Sequence, residues 1–149
     1  MPTSRVSFHS LRLVAIIVFL VSLALSAFAA DTAPADRQAT RNVIESQIGA
    51  FKAGDHDRAY SYAAPGIRQA FPTLDRFIGM VTSGYKPVYD PESYVFGRSV
   101  EESGQIHQEV IVTDRDGKTW QAVYTLQKQA DGAWKITGVK LNPFKGASA

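Results

Sequence analysis

The chain has 149 residues, no cysteine, 20% charged side chains and a formal net charge of +2 at pH 7, which suits one domain with a single core and excludes disulfides, cysteine chemistry and thiolate metal sites. Arg5 and Arg12 account for the charge excess, so residues 30–149 are formally neutral. Their charges are scattered singly and form no Lys/Arg stripe of the kind that a phosphate backbone demands, which excludes nucleic acid as an expected partner.

An apolar run from Leu13 to Leu25 follows the basic Arg5 and Arg12 and ends at Ala27-Phe28-Ala29. The run is too short to cross a hydrocarbon core as a helix, which takes roughly 20 apolar residues. Small residues at Ala27 and Ala29 suit a signal-peptidase pocket. The expectation is a signal peptide over residues 1–29, cleavage before Ala30, and a single periplasmic or secreted domain over 30–149 with no stable membrane span after cleavage. An uncleaved anchor is the alternative, and the lack of cysteine excludes lipidation at the junction.

Pro34 to Lys52 reads as an amphipathic helix, with Thr32 and Pro34 as its start signal, Asp36 at its positive end, and Val43, Ile44, Ile48 and Phe51 on one face. Gly54 stops it, and Asp55 offers its carboxylate to the free N–H groups of a second helix reaching about Tyr62, with Ala59, Tyr60 and Ala63 as the inner stripe. Ala64-Pro65-Gly66 breaks that helix. A short turn carries Ile67 and Phe71, and Thr73 caps a third helix that buries Leu74, Phe77, Ile78 and Val81 and ends at Gly84. The prolines of Lys86-Pro87-Val88-Tyr89-Asp90-Pro91 predict extended or turned backbone rather than helix.

Four strand-like segments follow, Tyr94 to Val100, Gln105 to Thr113, Lys118 to Lys128 and Ala133 to Leu141, joined by links short enough for hairpins. Helices that precede an antiparallel meander predict an α+β domain in which the helices cover one face of a four-stranded or larger sheet.

The segments Val43-Ile44-Glu45-Ser46-Gln47-Ile48-Gly49-Ala50-Phe51, Ala59-Tyr60-Ser61-Tyr62-Ala63-Ala64-Pro65, Phe77-Ile78-Gly79-Met80-Val81 with Gly84-Tyr85, and Asp131-Gly132-Ala133-Trp134-Lys135-Ile136 together resemble the DUF4864 family, a bacterial family of unknown function. The order of elements is similar to the NTF2-like superfamily. That resemblance implies helices closing one side of a curved sheet to form a cone with an internal pocket. It implies no particular activity, because the superfamily holds isomerases, dehydratases, cyclases and non-enzymatic binding modules.

Strand parity nominates the pocket residues. Tyr94, Phe96 and Val100 share parity with Arg98; Ile106, Val110 and Val112 with Gln108; and Trp120, Ala122 and Leu126 with Tyr124. Arg98 and Gln108 are the polar intruders on an apolar face, Arg98 as an anchor for an acidic ligand or else paired with Glu101 or Glu109, and Gln108 as a ligand contact or else a core amide bonded to backbone. Tyr60 flanks the helices, and Tyr60, Trp120, Tyr124 and Tyr94 complete the candidate binding set with Arg98 and Gln108. No residue qualifies as catalytic: parity turns His107 outward, His56 lies in a first helical turn, and Glu45 does not clearly point inward. Asp114-Arg115-Asp116-Gly117 lacks the further oxygen ligands of a calcium loop and reads as a hairpin turn, so neither metal nor cofactor is expected. The expected function is a non-catalytic module binding a small ligand or a protein partner; an isomerase- or cyclase-type enzyme is the alternative. A homodimer through Gln121, Val123, Thr125 and Gln127 on the outer sheet face is a third reading.

Overall fold

The computed structural model describes residues 29–146, so the expected signal peptide over residues 1–29 lies, but for its last residue, outside the described residues. The chain runs β1 (Ala30–Asp31), α1 (Pro34–Lys52), α2 (His56–Ser61), α3 (Pro65–Ala70), α4 (Leu74–Gly84), α5 (Lys86–Tyr89), β2 (Ser93–Glu102), β3 (Gln105–Thr113), β4 (Thr119–Lys128) and β5 (Trp134–Pro143). The strands form one antiparallel sheet in sequence order, β1-β2-β3-β4-β5. This is the α+β architecture expected from the sequence. The two-residue strand β1 is an addition, because Ala30 and Asp31 are too short a run to carry strand periodicity.

Local chemistry explains the helix limits. Pro34 opens α1, where its missing N–H costs no helical bond. Thr32 does not cap that helix: it is buried, and its hydroxyl accepts from Ser99 Oγ at 2.8 Å, which fastens β1 to β2. Asp55 and Thr73 do cap α2 and α4, accepting from the backbone N–H of Arg58 and Arg76. The segment from Lys86 corrects the expectation of extended backbone, since α5 is one helical turn there. Its proline stands in the first turn, where φ near −65° is already helical and no donor is needed. The β2–β3 link is a two-residue turn, Ser103-Gly104, with both residues at positive φ (52° and 76°), the backbone twist that lets two strands pair directly.

Two buried clusters form the core. Ile44 and Ile48 of α1 pack with Val110, Val112, Ala122, Tyr124 and Leu126 of the sheet. Phe51 of the same helix joins Ala59, Tyr60, Phe77 and Val81 in a helix-only cluster. At the outer edge of β5, Ile136 exchanges backbone bonds with the α2–α3 link, to Tyr62 O at 2.9 Å and from Ala64 N at 2.8 Å, so the edge is covered at that residue.

A bulge in β2 corrects the parity argument. Phe96 pairs with Val110 and Ser99 with Gln108, so Gly97 and Arg98 together oppose Glu109. Alternation therefore slips by one residue. Phe96 and Ser99 share the covered face, Val100 lies opposite His107 on the outer one, and Arg98 is exposed instead of inward. A side chain at Gly97 would place its Cβ 2.9 Å from the Glu109 carboxyl carbon and push the Glu109 side chain aside.

Candidate functional site

At the seam between the two clusters lies a cavity of about 240 Å³. Phe51 and Gln47 of α1 form one wall, and Phe77, Met80 and Val81 of α4 another. Tyr85 and Val88 close it beside α5, while Tyr124 and the stretch Ile136 to Val139 supply the sheet side. A second bulge falls there: Thr125 pairs with Gly138 but Leu126 with Ile136, leaving Thr137 unopposed and its hydroxyl donating to Thr125 O at 3.1 Å. The half-buried Ile67, Phe71, Met80 and Tyr85 form the rim.

Among the described residues the lining carries no Asp, Glu, Lys, Arg or His. Its polar groups are the Gln47 amide, whose Nε2 donates to Ala59 O at 3.2 Å, the Thr137 hydroxyl, and the phenols of Tyr85 and Tyr124. Tyr124 is fully buried, and its hydroxyl lacks a hydrogen-bond partner among the described residues. Burial, reinforced by the nearby Tyr94, holds this phenol well above its ordinary pKa. Tyr124 stays a neutral hydrogen-bond donor at any physiological pH.

The structure scatters the other sequence-nominated residues. Gln108 is fully buried, and its Nε2 serves the carbonyls that the bulge frees: Glu109 O at 2.8 Å, Gly97 O at 3.2 Å and Arg98 O at 3.3 Å. Its Oε1 accepts from Arg41 Nε at 3.4 Å, which is the core-amide role. Tyr60 is buried, donates to Phe71 O at 2.5 Å, and packs in a tilted arrangement against Phe77 at 4.9 Å behind the cavity wall. Trp120 is half-buried near the β3–β4 turn, where its indole N–H donates to Asp114 Oδ2 at 2.8 Å. Tyr94 meets Phe96 edge to face at 5.9 Å; burial and the negative Glu45 raise its phenol pKa. Of the six, Tyr124 lines the cavity and Arg98 lines a separate surface cleft with Asp31, Arg37, Arg41, Gly97 and Ser99.

Sequence reasoning missed the contribution of α4 to the cavity, although Phe77 and Val81 were on its expected buried face. It also missed Arg37 and Arg41. The signal was available, because 37, 40, 41, 44 and 48 follow the helical period of the inner stripe. Among the described residues no group of three or more His, Asp or Glu side chains is placed to hold a metal ion. No described helix is long and apolar enough to cross a membrane. The Asp114 carboxylate is taken up in the turn, accepting from the backbone N–H of Asp116 and Lys118.

Helices laid on an antiparallel five-stranded sheet, with an apolar cavity at their seam, define an α+β domain compatible with the NTF2-like organisation. Residues 32–149 match the domain of unknown function DUF4864, and the chain belongs to that family. No curated protein and no solved structure matches the chain.

Proposed function

We propose that this protein is exported and binds a small, uncharged, mostly apolar molecule in the cavity between α1, α4 and β5, without transforming it. The observation that carries the reading is the lining: apolar walls, a few neutral polar groups and, among the described residues, no ionisable side chain other than two phenols. Such a pocket gains from burying apolar surface and rejects charge, because an unpaired ion there loses its hydration. A cavity of about 150 Å³ accepts benzene, so the 240 Å³ here suits roughly ten non-hydrogen atoms. Export rests on the leader alone, and its test is the intact mass of the product, expected to begin at Ala30.

The alternative, an isomerase- or cyclase-type enzyme, has little to work with. Proton abstraction near neutral pH calls for a base whose pKa lies near 7, and burial moves Tyr124 in the opposite direction. A protein partner in place of a small ligand would need the rim residues, and the cavity argues for the smaller occupant.

Saturation-transfer NMR with 2-octanone and octanoate tests the binding reading. The ketone should bind, the carboxylate should bind at least about tenfold more weakly, and Val139→Phe, which fills the cavity, should abolish ketone binding. No ketone binding, or binding indifferent to Val139→Phe, overturns it.

A further inference from the structure

A second pocket lies on the other side of α1's run. Arg37 and Arg41 stand one helical turn apart and meet the bulged stretch Gly97 to Ser99 of β2, with Asp31 of β1 at the margin. Arg41 is ten residues from Phe51, or about 15 Å along the helix, so this cleft is distinct from the apolar cavity.

Arg37, Arg41 and Arg98 line one cleft with a single acidic residue, Asp31, and none of the three guanidinium groups lies within 4.0 Å of a carboxylate among the described residues. Their internal bonds leave capacity unused. Arg37 donates from Nη2 to Thr32 O at 2.8 Å, but its Nε is buried and has no partner among the described residues. Arg41 makes only long contacts, to Gly97 O at 3.3 Å and Gln108 Oε1 at 3.4 Å, with its guanidinium 5.1 Å from the Phe96 ring centre. Arg98, turned outward by the bulge, is exposed. Guanidinium groups that outnumber the one carboxylate beside them, one group with an orphaned N–H, offer an oxyanion a planar fork of donors.

We infer that this cleft binds an oxyanion, the phosphate or carboxylate group of a small molecule, with Arg37 and Arg41 as the seated donors and Arg98 as the outer one. Asp31 opposes the anion and weakens it. A purely structural role, in which Arg37 and Arg41 do no more than hold the carbonyls of Thr32 and Gly97, predicts indifference to added anions.

The folded chain is titrated with inorganic phosphate and with acetate against sodium chloride at matched ionic strength, following the arginine Nε–H resonances by NMR. Phosphate should shift the Arg37 Nε–H resonance saturably where chloride does not, and comparable acetate binding would extend the site to carboxylates. Arg98→Gln should weaken binding about threefold and Asp31→Asn should strengthen it by a similar factor, the scale of one partly solvated charge. Both positions are exposed, so neither variant depends on refolding the core. Equal behaviour of phosphate, acetate and chloride, or affinity unchanged in both variants, overturns the inference and leaves the proposed cavity ligand unaffected.

Discussion

Gln108 and Tyr124 sit opposite each other in the β3–β4 register and are both fully buried, yet they stand in contrasting states of satisfaction. The Gln108 amide holds three backbone carbonyls and one arginine. Gln108→Leu keeps the bulk but strands those carbonyls, so unfolding free energy should fall by about 2 to 3 kcal/mol. A urea midpoint equivalent to less than about 1 kcal/mol would show that water replaces the amide. Tyr124→Phe should do the reverse. Its hydroxyl is buried with no partner among the described residues, so its removal should stabilise the unliganded protein by about 1 kcal/mol; a loss of stability on thermal unfolding would mean that the hydroxyl is bonded through water.

At the scale of elements, helix α1 carries both halves of the core and both pockets. Phe51 is 4% exposed and lies 5.3 Å from Tyr89 and 6.3 Å from Phe77. Its truncation to alanine falls in the range of about 3 to 5 kcal/mol for aromatic core sites. Because one side of the ring already faces the cavity and lacks packing partners, the loss should lie near about 3 kcal/mol; a loss below about 1 would mean that this stripe does not hold the helices to the sheet. The β3–β4 hairpin gives a pH-dependent counterpart. The Trp120 indole holds the Asp114 carboxyl below its ordinary value, and Arg115 does the same for Asp90. Both carboxyls have lower pKa values folded than unfolded, so their stabilisation is present above about pH 4 and is lost as pH falls through the folded values. Asp114→Asn should flatten that acid limb of the thermal midpoint, and an unchanged limb would refute the role. Helix periods, caps and hairpin links were legible because each depends on residues a few positions apart. Arg98 was misread because a bulge is set by what lies across the strand, here Glu109 beside a side-chain-free Gly97, and parity along one strand does not register it. The cavity was illegible for a related reason: it lies where two buried clusters fail to meet, and every residue around it looks like core.

For the whole molecule, the two pockets differ in the force that would fill them, and that difference is measurable without knowing either natural ligand. One is walled by apolar groups at the seam of the core, and the other is a surface cleft of arginines joining β1, α1 and β2. A ligand that binds only the folded state stabilises it by about 2.7 kcal/mol at one hundred times its Kd. With 2-octanone that gain should hold or grow as sodium chloride is raised, since burial of apolar surface is not screened. With phosphate it should shrink, because at 1 M salt the Debye length falls to about 3 Å and the exposed Arg98 ceases to attract. Arg41 and Phe51 are separated by ten residues of continuous helix, and the two occupants share no lining residue. Their effects on unfolding free energy should therefore add to within about 0.5 kcal/mol when both are present. The measurement is a set of chemical denaturation curves with each ligand alone and with both, at low and high salt. Parallel salt dependence for the two ligands would show that they occupy one site, and a shortfall from additivity well beyond about 0.5 kcal/mol would show that α1 couples the two.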